Sequence, residues 1–223
     1  MVTRPRFFNT YLYYHIYNRG VEKRKIFQTA RDYQRFVDNL RYYLHDQKIP
    51  FTKFERLSDG DRVTYLKMNP ETPETRRVHL IAYCLMPNHF HLLLKGEQYN
   101  GITVFVSDVS NSHTRYFNTK HERVGRLFQG TFKSKEIVGE ESLLQVSRYI
   151  HLNPVLSELT KRPKSYPHSS YKNWIGQNSS SWLNQDLINT WVEKVKGPEG
   201  YKKFVESKIG KDSKRGIENL ALE

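Results

Sequence analysis

The alternation of apolar and polar residues is sharpest between Leu80 and Lys95, LIAYCLMPNHFHLLLK, where two apolar runs flank Met-Pro-Asn. This predicts two central strands, over Arg77 to Cys84 and Asn88 to Lys95, joined by a tight turn. Period two puts Phe90, Leu92 and Leu94 on a core-facing side of the second strand and His89 and His91 together on the other. An aromatic, β-prone stretch from Thr10 to Asn18, closed by Arg19-Gly20, predicts the first strand. Helical spacing takes over from Thr29 to His45, where Tyr33, Phe36, Val37, Leu40 and Leu44 form one apolar face. It recurs from Gly101 to Asn118 (Ile102, Phe105, Val106, Val109) and from Glu140 to Asn153 (Leu143, Val146, Ile150), with Pro154 expected to stop the last helix.

Between these the pattern weakens. Pro50 to Met68 reads as one or two strands broken at Ser58-Asp59-Gly60, and Asn69 to Arg77 as a loop. Gly125 to Val138 reads as an extended segment returning to the sheet, and Arg162 to Trp174 as turn-rich. After a polar Gly/Ser/Asn stretch from Gly176 to Ser181, two short helices are expected at Trp182 to Val195 and Tyr201 to Ile209, separated by Gly197-Pro198-Glu199-Gly200. Strands mixed with a few helices predict an α+β domain on an antiparallel sheet. The expected division is a main domain over 1–175 and a helical extension over 176–223.

The chain has 223 residues, enough for a proper core, and a net charge of +13 with a pI near 9.7. Lysine and arginine in such excess favour a polyanionic partner, because they displace counterions from phosphates. The 15 Tyr and 12 Phe suit bases stacked on rings as well as an ordinary aromatic core. A single cysteine, Cys84, excludes disulfides and cysteine-rich zinc sites and fits a reducing compartment. No apolar run approaches the ~18 residues of a membrane span, and the first eleven residues carry no signal-peptide core. A cytoplasmic, nucleoid-associated protein without membrane contact is expected.

Two imidazoles on one strand face are half of a divalent-metal site. In the helix from Glu140, Gln145, Tyr149 and Asn153 recur every fourth residue and form a polar stripe. If that edge faces His89 and His91, the Asn153 carboxamide completes a three-ligand site and the Tyr149 phenol stands beside it. Two His and one Asn leave positions open for Mg²⁺ or Mn²⁺ bound with a phosphate. A tyrosine oxygen can then attack phosphorus and form a covalent intermediate. Spacing alone leaves the alternatives open: hydrogen-bonded surface imidazoles, a packing tyrosine, an asparagine that merely ends its helix. His151 reads as a surface residue and Gln145 as solvated.

YHIYNRG, MPNHFHLLLK, GRLFQGTFKSK and RYIHLNPV, in this order along the chain, resemble the REP-associated tyrosine transposases, single-tyrosine HUH endonucleases of the insertion-sequence transposase superfamily. The resemblance spans about Tyr14 to Trp174 and includes SYPHSSYKNWIG, with Tyr166 where a tryptophan is usual; YKKFVESKIG resembles an extension of some members. It implies a ferredoxin-like nuclease domain and single-stranded, hairpin-forming DNA from palindromic repeats as partner. It also implies strand transfer through a 5′-phosphotyrosine with Mg²⁺ or Mn²⁺. On its motifs Tyr149 is the nucleophile and His89, His91 and Asn153 the metal ligands. Arg19, Lys23, Arg24, Lys25, Arg126, Lys133 and Lys135 are candidate DNA contacts. The rival readings are a domesticated hairpin binder that does not cut, a phosphoesterase using water, and an RNA-binding domain. Monomer and homodimer are both open.

Overall fold

The computed structural model describes residues 8–10 and 12–209; Tyr11 of the expected first strand, and residues 210–223 of the expected extension, lie outside them. Four strands, β1 (Tyr13–Arg19), β2 (Val78–Met86), β3 (His89–Gly96) and β4 (Lys133–Ile137), form one sheet in the order β2-β3-β1-β4. All three pairings are antiparallel. Helix α1 (Ala30–Tyr43) connects β1 to β2, and α4 (Gly101–Lys120) connects β3 to β4. This is the α+β arrangement on an antiparallel sheet that the pattern predicts, and the ferredoxin-like one that the resemblance implies.

The two faces of the sheet have different work. Ile16, Phe90, Leu92 and Leu94 are fully buried on the face covered by α1 and α4, where Phe36 packs on Phe90 with ring centroids 5.2 Å apart. Asp32 ties those helices together. Its carboxylate accepts from the amides of Gln28 and Thr29 at the start of α1 and, 3.0 Å away, from the hydroxyl of Tyr116 on α4. The other face carries His89 and His91 and is covered by α5 (Glu140–Leu156).

Several sequence expectations are corrected. Residues 51–68 form no strand; they hold α2 (Phe51–Phe54) and α3 (Asp59–Met68). Ser58-Asp59-Gly60 is the start of a helix, since Ser58 Oγ accepts from the Asp61 amide at 3.1 Å and two aspartates sit in the positive first turn. No residue of α3 is buried, so no apolar stripe marked it. Pro154 does not stop α5, which runs on to Leu156. In the last turn a proline removes a single amide, and Ser157 N still reaches Asn153 O at 3.0 Å. Asn153 is therefore a helical residue, held one turn beyond Tyr149. Finally, Gly197 to Gly200 do not separate two helices but open α8 (Gly197–Glu206), with a proline in its first turn. The helix before it, α7 (Gln185–Glu193), starts later than Trp182, behind Asn184, whose Oδ1 accepts from the Leu187 amide.

The segment after α5 closes the edge of β2. Leu85 N donates to His168 O, Trp174 Nε1 at the end of α6 (Tyr171–Trp174) donates to Ile81 O, and Asn184 N donates to Leu80 O. His151, expected at the surface, is fully buried here. Its Nδ1 lies 2.7 Å from the Tyr201 hydroxyl of α8 and its Nε2 2.9 Å from Ser170 Oγ. The reason is that α5 is covered twice, by the sheet on one side and by α6 and α8 on the other.

Burial lowers the pKa of His151 to about 3 and that of His113, on α4, to about 4. Both values lie below the ordinary value of 6.5 that the unfolded chain retains. The unfolded state thus takes up these protons first, so their contribution to stability is complete above pH 6.5 and is lost as pH falls toward 4 and 3. Each histidine then costs about 1.4 kcal/mol per pH unit. Thermal midpoints measured from pH 7 down to pH 4 are expected to fall steeply below 6.5; a flat profile contradicts the neutral, buried state.

Candidate metal and tyrosine site

The registers of β1 and β3 assemble the site. Tyr17 pairs with His91, Arg19 with His89 and His15 with Leu93, so these residues share one face of the sheet. Gly20 follows as a close approach: a Cβ there would lie 2.3 Å from the Arg24 carbonyl oxygen, which explains the glycine after Asn-Arg. The turn after Gly20 is pinned to the β2–β3 turn, with Gly20 N donating to Asn88 O and both Ile26 N and Phe27 N to Pro87 O. From the other side, α5 presents Tyr149 and Asn153 toward the imidazoles.

The structure brings four of the expected residues together. The Tyr149 ring stands edge-on to His91 with centroids 5.3 Å apart, and edge-on to His15 at 5.8 Å. Asn153 sits between the ligand candidates, its Oδ1 3.3 Å from His89 Nε2 and its Nδ2 3.1 Å from His91 Nε2. Tyr149, Asn153, His89 and His91 are all buried.

The hydrogen bonds fix the proton positions. Asn88 Nδ2 donates to Lys23 O, so Asn88 Oδ1 faces His89 Nδ1, 2.6 Å away, and requires the proton there. A neutral His89 then has a bare Nε2. Burial, with the Arg19 guanidinium second, lowers its pKa to about 4, which keeps it neutral near pH 7. Burial likewise holds His91 well below the ordinary range, with electrostatic repulsion from His89, His15 and Arg19 adding to it. With Asn153 Nδ2 turned to His91, the lone pairs of His89 Nε2 and Asn153 Oδ1 confront each other across 3.3 Å. Two acceptors at that distance repel, and a cation between them relieves the repulsion. Among the described residues no group of three His, Cys, Asp or Glu side chains is placed to hold a metal. Beside the two imidazoles, the protein oxygen that faces His89 Nε2 is Asn153 Oδ1. The donor set of two neutral imidazoles and one carboxamide fits a divalent cation with further positions open.

The cations fall unevenly around this centre. Arg19 lies beside His89, and Lys133 and Lys135 are exposed on β4, in register with Tyr17 and His15 and so on the same face. A cleft of about 400 Å³ between β4 and the first half of α5, lined by Lys135, Glu141, Ser142 and Gln145 among others, opens one helical turn from Tyr149. Gln145 is not simply solvated, since it pairs with Arg148. Lys23, Arg24 and Lys25 flank the β2–β3 turn, with Arg24 held 3.0 Å from Glu22. Arg126 is exposed, next to Leu127, whose carbonyl accepts from Val21 N. Sequence reasoning gave no role to His15 or Asn88. Both lie inside quoted motifs, but only strand register and the turn reveal that they touch the ligands.

The comparisons with known proteins bear on the fold and on part of the sequence. The family model described as "Transposase IS200 like" matches residues 55–153, a span that includes all four central residues. A solved structure described as "Structure of the REP associates tyrosine transposase bound to a REP hairpin" matches with a TM-score of 0.52 and 11% identity. The match covers 82% of this chain and 97% of that one. The chain thus shares the fold of that tyrosine transposase and, over 55–153, the sequence pattern of IS200-like transposases, in agreement with the resemblance read from the motifs. No curated protein matches it. Among the described residues no helix is long and apolar enough to cross a membrane.

Proposed function

We propose that this protein cuts and rejoins single-stranded, hairpin-forming DNA, with Tyr149 as nucleophile and with His89, His91 and Asn153 holding Mg²⁺ or Mn²⁺. The observation that carries the reading is the pair of opposed acceptors, His89 Nε2 and Asn153 Oδ1, 3.3 Å apart, with the Tyr149 ring edge-on to the neighbouring His91. The solved transposase of like fold is bound to a hairpin, and the surplus of 36 Lys and Arg over 23 Asp and Glu suits a phosphate backbone.

When bound, the metal supplies charge that offsets the negative charge growing on the scissile phosphate. The chain does the rest. Arg19, Lys133 and Lys135 draw the strand across the sheet face from the β4 side. The Tyr149 oxygen forms a bond to phosphorus as it gives up its proton. The P–O3′ bond breaks, and the departing 3′ oxygen takes a proton to become a free hydroxyl. The phosphate remains on Tyr149 through its 5′ side, and a second 3′ hydroxyl reverses the step to rejoin the strands.

A second reading, hairpin binding without cleavage, draws on the burial of Tyr149, which is only 5% exposed. Incubating the full chain with a labelled hairpin oligonucleotide carrying a single-stranded flank separates the two. With Mg²⁺ or Mn²⁺, a denaturing gel is expected to show a protein-linked fragment and a free 3′-hydroxyl product, both lost with EDTA. Retarded but intact DNA in every lane supports the second reading. Cleavage without an adduct supports water as the nucleophile.

A further inference from the structure

Resting on this reading, we infer that His15 is a positioning residue for the metal site, fixing the tautomer and tilt of His91 so that its Nε2 lone pair faces the cation. Asn153 Nδ2 is a donor, so His91 Nε2 accepts from it and the His91 proton sits on Nδ1. That Nδ1 lies 2.9 Å from His15 Nε2, which must then be an acceptor, with the His15 proton on its own Nδ1. The two rings are nearly parallel, 23° between planes with centroids 5.1 Å apart. His15 is 1% exposed and His91 0%. No water can replace this partner, and an Nδ1–H left alone at such depth would favour moving the proton to Nε2, where it blocks metal binding.

The arrangement follows from register. His15 pairs with Leu93 and Tyr17 with His91, which places His15 diagonally across from His91 on the same face. Histidine ligands ordinarily donate their second N–H to a carboxylate, carbonyl or water. Here a second neutral imidazole takes that place, which supplies an acceptor without adding negative charge beside a phosphate-binding centre.

The test uses the full chain and Mn²⁺ as probe. Binding is measured by titration calorimetry and by the paramagnetic resonance of free Mn²⁺, without DNA. His15→Phe keeps an aromatic ring and removes the acceptor; it is expected to weaken Mn²⁺ binding about 10–100-fold, the usual cost of losing such a partner. His15→Gln places an oxygen near the position of Nε2 and is expected to bring affinity back close to wild type. A Phe variant that binds Mn²⁺ like wild type, or a Gln variant as weak as Phe, overturns the inference. Wild type that does not bind Mn²⁺ at all overturns the metal reading on which it rests. If His15→Phe fails to fold, the wild type still decides. Long-range ¹H–¹⁵N spectra are expected to show His91 protonated at Nδ1, and protonation at Nε2 instead refutes the assignment.

Discussion

Tyr149→Phe is expected to abolish the covalent protein–DNA adduct while hairpin binding persists. The substitution removes one oxygen and keeps the ring that packs edge-on against His91 and His15. The residues proposed to hold the strand and the metal are untouched. Loss of a covalent nucleophile costs about 10⁴-fold or more in rate. Adduct yield on a denaturing gel and hairpin affinity by gel retardation, measured on the same preparation, check the two halves separately. Undiminished adduct in the Phe variant moves the nucleophile elsewhere. Loss of both adduct and binding indicates damage to the site as a whole.

The second large effect is on stability. Tyr201 is fully buried, with its hydroxyl 2.7 Å from His151 Nδ1 and 3.0 Å from Ser147 Oγ, and its ring 4.7 Å from that of Trp174. Tyr201→Ala is expected to cost about 3–5 kcal/mol for the lost aromatic packing. Stranding His151 and Ser147 in the interior adds about 1–3 kcal/mol. Tyr201→Phe keeps the packing and is expected to cost only that second amount. Urea denaturation of the three proteins checks the order wild type, Phe, Ala. A cost below about 1 kcal/mol for Ala would mean that α8 contributes little to holding α5 in place.

Much of this was legible in the chain because it depends on short periods. Phe90, Leu92 and Leu94 alternate with His89 and His91, and a strand admits one reading of that pattern. Tyr149 and Asn153 are four apart on a helix, so their common edge follows once the helix is granted. What escaped was of two kinds. Residues 51–68 and Pro154 depart from the local rules because each rule taken singly admits a second outcome. Ser58 followed by two aspartates can cap a helix as readily as it can turn a strand, and a proline in a last turn costs little. His15, Asn88 and His151 escaped because their roles are made by pairing across large separations: strand β1 against β3, a turn against a loop, α5 against α8. No spacing within a motif encodes such a meeting.

One rim of the sheet carries a further consequence. Among the described residues β4 is hydrogen-bonded through β1 alone, and it shows Lys133, Lys135 and Glu136 to solvent. A second molecule adding its own β4 antiparallel there would bring ammonium groups of both copies into close company, an arrangement that strands avoid. Two such rims therefore repel at low ionic strength, while a polyphosphate laid along either one neutralises it. The same lysines guard against uncontrolled ribbon growth, and that protection weakens as salt rises.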